Sequence, residues 1–162
     1  MPLDATAREA NVIDSIKKYF VDNIFTTKGI PLSFDDALTQ PKLTGSPSEV
    51  DKWVNILPGP IDFKTMSDFM LEIFCCVRKD DEGFKLAQLR DTVQELLTDT
   101  DGTYPDGMKR ITFYQSVPGG QSNWVSLGAL VVQDITDSGR MKAGDETKFR
   151  VLTVRLRFAS KA

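Results

Sequence analysis

Apolar residues recur at steps of three and four near the start of the chain: Val12, Ile13, Ile16, Tyr19, Phe20 and Ile24. That spacing lays a single stripe along an amphipathic helix. Asp4 or Thr6 can cap its start, and Lys28-Gly29 ends it. Ile30-Pro31-Leu32-Ser33-Phe34 follows as an extended segment whose proline suits a sheet edge. Residues 35–50 are polar, with Pro41, Gly45, Ser46 and Pro47, and read as a long loop. Trp53, Val54 and Ile56 form a short strand, stopped by Leu57-Pro58-Gly59-Pro60.

From 68 to 78 the pattern alternates. Phe69, Leu71, Ile73, Cys75 and Val77 fall on one face, and Met70, Phe74 and Cys76 on the other, as in a central strand covered on both sides. The acidic cluster Asp80, Asp81 and Glu82 then precedes a second helix with the stripe Leu86, Leu89, Val93, Leu96 and Leu97; the carboxylates suit a helix start and its dipole. Beyond a turn over 98–107 come three more strands, at 108–115, 127–135 and 148–158. The last alternates most clearly, with Leu152, Val154, Leu156 and Phe158 inward and Thr153, Arg155 and Arg157 outward. Polar, glycine-bearing loops at 116–124 and 137–147 separate these strands.

The order is helix, several strands, helix, three strands, without the βα alternation of a doubly wound parallel sheet. It predicts an α+β fold, a mixed and mostly antiparallel sheet with two helices packed on one face. A chain of 162 residues, 41% hydrophobic, suits one domain spanning 1–162. The net charge of −3 is too balanced to argue for nucleic acid or an anionic membrane as the main partner. Its distribution is uneven: residues 1–107 sum to −8 and residues 108–162 to +5. Either two strand-rich segments have basic solvated faces, or acidic and basic surfaces of neighbouring copies meet head to tail. The first residues lack the basic start and apolar run of a targeting segment, and no apolar stretch approaches a bilayer span. Cys75 and Cys76 are adjacent in an apolar run, so on a strand they point to opposite faces and read as reduced thiols, which suits a cytoplasm.

The chain contains no histidine, which removes Ser-His-Asp and Cys-His catalysis and His-bearing zinc sites. Neither common phosphate-cradling glycine motif is present. Asp99-Thr100-Asp101-Gly102 with Asp106 lacks the third ligand before the glycine and the closing glutamate of a calcium loop, and reads as a helix-terminating turn. No cofactor and no catalytic residue follows from the sequence. An enzyme without histidine would need a deep pocket lined by several of Asp35, Asp36, Asp99, Asp101 and Tyr104. Trp53 reads as a core residue. Trp124, closing a Gly-Gly-Gln-Ser-Asn loop, reads either as core or as an interface anchor.

The amphipathic opening helix, the extended segment at 30–34, Trp53-Val54, the two-faced strand Asp68-Phe69-Met70-Leu71-Glu72-Ile73, the helix at 84–97 and the closing strands form a layout that resembles the tail terminator proteins of long-tailed bacteriophages. It is most similar to the T5-like version and more distantly to the minor tail protein U of lambda-like phages. The resemblance rests on element order and small size, and carries no catalytic residues. It implies a structural, non-enzymatic protein of the virion, assembled in the host cytoplasm, that caps the tail tube as a hexameric ring, stops polymerisation and offers the surface that joins the capsid. The implied partners are the tail tube protein, a head-completion connector protein and further copies of the chain. No membrane or specific nucleic-acid binding is implied; DNA passes through a lumen that should avoid strong positive charge. On loop composition, Gly119, Gly120, Gln121 and Trp124, with Arg140, Met141 and Lys142, are the expected contact residues, and Arg155 and Arg157 lie either on a solvated face or against an acidic neighbour. The alternative is a non-enzymatic adaptor subunit of another cytoplasmic assembly.

Overall fold

The computed structural model describes residues 8–34, 52–62, 66–78, 82–99, 102, 107–115, 125–142 and 147–159. The opening stripe forms helix α1, Arg8–Phe20, which continues as a π-helical segment, Val21–Thr26. Val12, Ile16, Phe20 and Ile24 are all buried. A strict four-residue repeat drifts by roughly 40° per step on a helix of 3.6 residues per turn. The wider turns of the π segment offset that drift and keep Ile24 over the core. Gly29, at φ 66°, ends the run, donating its N–H to Phe25 O at 3.0 Å while Ile30 N reaches back to Ile24 O at 3.4 Å. This is the glycine-terminated helix end that the sequence predicts.

Strands β1 (Leu32–Phe34), β2 (Lys52–Asp62), β3 (Met66–Val77), β4 (Arg110–Gln115), β5 (Val125–Asp137), β6 (Met141–Lys142) and β7 (Lys148–Ala159) form one sheet in the order β1-β2-β3-β7-β5-β4, with β6 beside the start of β7. Only β1 and β2 pair in parallel. The fold is α+β, with a mixed, mostly antiparallel sheet. Helix α2, Phe84–Leu97, packs on β3 and β7 through Leu86, Leu89, Val93 and Leu97. Full burial of each of these contributes about 1.5–3 kcal/mol before the entropy of ordering is subtracted. Helix α1 packs along β4 and the π segment reaches β1, so the first helix spans the sheet from one edge to the other. Both helices share one core with the inward faces of β2, β3, β4, β5 and β7.

Three local expectations are corrected. Strand β2 does not stop at Leu57 but runs through Pro58-Gly59-Pro60 to Asp62. Among the described residues β1 pairs with β2 no further than Ile56, so beyond that point β2 has no described neighbour on that side and a proline there forfeits no described ladder bond. The pairing with β3 shifts between Pro58 and Ile61, and a Cβ on Gly59 would lie 2.8 Å from Met70 O. The N-cap position of helix α2 is held not by a carboxylate but by Gly83, left-handed at φ 80°, with no acid in the first turn; Asp80 and Asp81 of the expected cap lie outside the described residues. Finally, the loop expected over 137–147 contains β6, paired through Met141↔Phe149 and Lys142↔Lys148.

Candidate interaction surfaces

Alternation along β2, β3 and β7 gives the sheet a second face, on which no helix packs among the described residues. Ser33, Trp53, Asn55, Met70, Glu72, Phe74 and Cys76 fall on that face, with Phe149, Val151, Thr153, Arg155 and Arg157 of β7 beside them. Its two ends differ. At one end Arg155 meets Asp134 at 2.8 Å and Arg157 Nε meets Asp68 at 3.2 Å, both pairs partly open to solvent. Exposed pairs of this kind contribute about 0–1 kcal/mol. Arg155 and Arg157 thus lie on a sheet face as expected, and each has an acidic neighbour within its own chain.

At the other end Phe74 and Phe149 stack at a tilt, ring centroids 6.2 Å apart, and Trp53, Asn55 and Cys76 are fully buried. The indole Nε1 of Trp53 and both polar atoms of the Asn55 amide have no hydrogen-bond partner there. Trp53 is buried, as the sequence predicts, but on the face opposite the helices and apart from the main core.

Of the expected contact residues, Arg140, Met141 and Lys142 are all exposed. Arg140, just before β6, lies beside the start of α2: a Cβ on Gly83 would sit 2.7 Å from Arg140 Nη1, so the guanidinium lies directly against that glycine. Phe84, the next residue, is 64% exposed. Sequence reasoning assigned Phe84 no role, yet the signal was available, because it falls two residues before Leu86 and so on the opposite side of α2 from the buried stripe. Gly119, Gly120, Gln121 and Trp124 lie outside the described residues.

Behind this corner a polar network ties α2 to the sheet. Asp137 accepts Arg90 Nε at 2.8 Å, Arg150 Nη2 at 2.7 Å and the backbone N–H of Gly139 at 2.8 Å. Burial opposes the Asp137 charge, but the Gly139 N–H and the two guanidinium groups outweigh it and hold the carboxyl below its usual range. Nearby, Cys75 and Cys76 are free and buried. Burial, with the charge of Cys76 and Asp137, pushes the Cys75 thiol well up, which makes it a poor nucleophile.

Across the molecule, the Tyr19 hydroxyl donates to Leu96 O and links α1 to the end of α2; burial raises its pKa to about 12. Among the described residues no group of three or more Cys, Asp or Glu side chains could hold a metal ion, and no helix is long and apolar enough to cross a membrane. Asp99 N donates to Gly107 O at 2.8 Å, closing the turn after α2. Asp35, Asp36, Asp101 and Tyr104 lie outside the described residues.

No family model matches the chain, and no curated protein matches it. Two solved structures are similar in overall shape. One, a chain of no stated function, is 11% identical with a TM-score of 0.49, covering 92% of this chain and 98% of its own. The other comes from the virion of a native gene transfer agent particle and is 15% identical with a TM-score of 0.46, covering 93% of this chain and 96% of its own. Likeness of this degree does not bear on function.

Proposed function

We propose that the chain is a structural protein of phage tail completion, which caps the tail tube as a hexameric ring, stops further polymerisation and presents the surface that joins the capsid. The observation that supports this reading is the order and pairing of the elements. The opening helix, the edge strand β1, the strand bearing Trp53-Val54, the two-faced β3, α2 and the closing strands β5 and β7 stand in the sequence order on which the resemblance to tail terminators rests. In this reading the work is done by shape and by contacts between copies. A closed ring needs a heterologous interface, in which one surface of each subunit meets a different surface of the next. The exposed apolar side chains Phe25, Met66, Phe84 and Met141 are available for such contacts.

The test is negative-stain imaging and co-sedimentation of the purified protein with uncapped and capped tail tubes. Rings with six-fold symmetry at one end of uncapped tubes, absent from tubes already capped, are the expected result. A stable monomer that ignores both kinds of tube would overturn the reading and favour an adaptor subunit of another assembly.

A further inference from the structure

The outward face of α2 carries opposite chemistry at its two ends. Phe84 and Lys85 are exposed at the start, Asp91 and Glu95 toward the end. The starting end is enlarged by Arg140, whose guanidinium lies against Gly83, and the chain continues from it into the exposed Met141 and Lys142 of β6. None of Lys85, Arg140 and Lys142 has a carboxylate partner among the described ion pairs; of the described carboxylates nearest in sequence, Glu82 is exposed and Asp137 is taken up by Arg90, Arg150 and the Gly139 N–H. Asp80 and Asp81 lie outside the described residues. At the far end Glu95 also has no cation partner among those pairs, and the Asp91 side chain is 67% exposed although it touches Arg90.

This polarity runs against what the helix itself favours. A helix gains from acids in its first turn and bases in its last, whereas α2 has no acid in its first turn and no base in its last. The outward charges therefore do not serve the stability of α2. An aromatic ring, a methionine and an arginine together have the composition of an interface centre.

We infer that the Phe84–Arg140–Lys142 corner of one copy docks on the Asp91–Glu95 end of α2 in a second copy. The two surfaces are different patches of the same chain, so the contact in this inference is heterologous and repeats head to tail around a closed ring; the alternative in which each end meets the other's reciprocally, a two-fold antiparallel pair, is separated from it by the cross-link below. Opposite charge sets the register and disfavours corner-to-corner encounters, while Phe84 supplies the apolar anchor. The inference rests on the ring reading above and names the surfaces through which that ring would close. Along α2, at 1.5 Å of rise per residue, Phe84 lies about 10 Å from Asp91 and about 16 Å from Glu95.

The experiment reverses each end separately. One variant carries Arg140→Glu and Lys142→Glu, the other Asp91→Lys and Glu95→Lys. Each alone should cap fewer than about one-tenth of the tube ends that the unaltered protein caps. An equimolar mixture should recover to within about twofold, because alternating subunits again place opposite charges in contact; recovery also shows that both variants fold. Two folded variants that each cap normally would overturn the inference while leaving the ring reading standing. Two folded variants that fail alone and together would also overturn it, and would assign the corner to the tube or connector protein instead.

A cross-link on the protein alone decides the contact even if no rings form on tubes. With Cys75 and Cys76 buried, Lys85→Cys and Glu95→Cys proteins, which keep Phe84, Arg140, Lys142 and Asp91, mixed at high concentration under mild oxidation should give a linked mixed dimer, while neither links to itself. Failure to link would overturn the inference independently of the tube assay. Efficient self-linking of Asp91→Cys would show a two-fold antiparallel pairing of the helices and overturn the head-to-tail geometry.

Discussion

Removing the Asp137 carboxylate tests how α2 is held to the sheet. In Asp137→Ala, Arg90 and Arg150 lose their shared acceptor and the Gly139 N–H loses its own. Hydrogen bonds to a charged group contribute about 1.5–3 kcal/mol each, and breaking a buried pair by removing one partner costs about 3–5 kcal/mol. The side chain of Asp137 is 16% exposed and those of Arg90 and Arg150 are 24% and 26% exposed, so both guanidinium groups recover part of the loss from water. Asp137 also accepts Arg150 Nε at 3.1 Å, and with water recovering much of the loss the expected cost is about 2–4 kcal/mol, well below the roughly 6–12 kcal/mol that four such bonds would sum to. Asp137→Asn keeps an acceptor for Gly139 and should cost less, about 1–2 kcal/mol. Urea unfolding followed by tryptophan fluorescence measures both, and for a domain of this size the alanine variant should melt roughly 5–15 °C lower. The folded-state pKa of Asp137 is depressed, so its contribution is present above the ordinary carboxylate range and is lost as pH falls through the folded value. The difference between wild type and Asp137→Asn should therefore shrink on acidification below about pH 4. An alanine variant within 0.5 kcal/mol of wild type would refute the view that this network anchors the helix.

Tyr19→Phe removes the hydroxyl that Leu96 O accepts and should cost about 1 kcal/mol. Because burial raises the Tyr19 pKa to about 12, the wild-type advantage is complete below pH 10 and declines as pH rises toward 12, readable in the same unfolding assay. Gly59→Ala places a Cβ 2.8 Å from the Met70 carbonyl and should destabilise by about 1–3 kcal/mol, whereas alanine at Gly102 meets no neighbouring atom and pays only for its positive φ. Cys75 and Cys76 should resist a thiol reagent in the folded protein and react together once urea unfolds it; rapid labelling of the native state would contradict their burial.

Periodicity disclosed the parts of the fold whose neighbours are implied by the pattern itself. The stripe of α1, the core-facing side of β3, the stripe of α2 and the inward residues of β7 are each a one-sided pattern, and the structure buries most of those residues, leaving Ile13, Tyr19 and Leu96 half-buried; Met70 and Phe74, on the other face of β3, are half-buried too. What escaped depends on contacts between distant segments. Pro58 and Pro60 look like strand breakers, but β2 runs through them where β1 no longer pairs with it among the described residues. The two residues of β6 carry too little pattern to show, and they pair only because β7 begins beside them. The carboxylates before α2 resemble a cap, but a left-handed glycine takes that position with Arg140 against it. Among the contact residues, exposure of Arg140, Met141 and Lys142 was legible from loop composition. The closeness of Arg140 to Gly83 at the start of α2 was not, since the two lie far apart in sequence. The pairing of Arg155 with Asp134 and of Arg157 with Asp68 likewise required the register of β7 between β3 and β5.

The measurement that bears most directly on the central claim is the growth of tail tubes from purified tube subunits with and without this protein, followed by the distribution of tube lengths. The account predicts that tubes given the protein stop elongating, carry a ring at the arrested end and resume growth only when the ring is stripped away. Tubes that reach the same lengths with and without the protein, with no density added at either end, would contradict it.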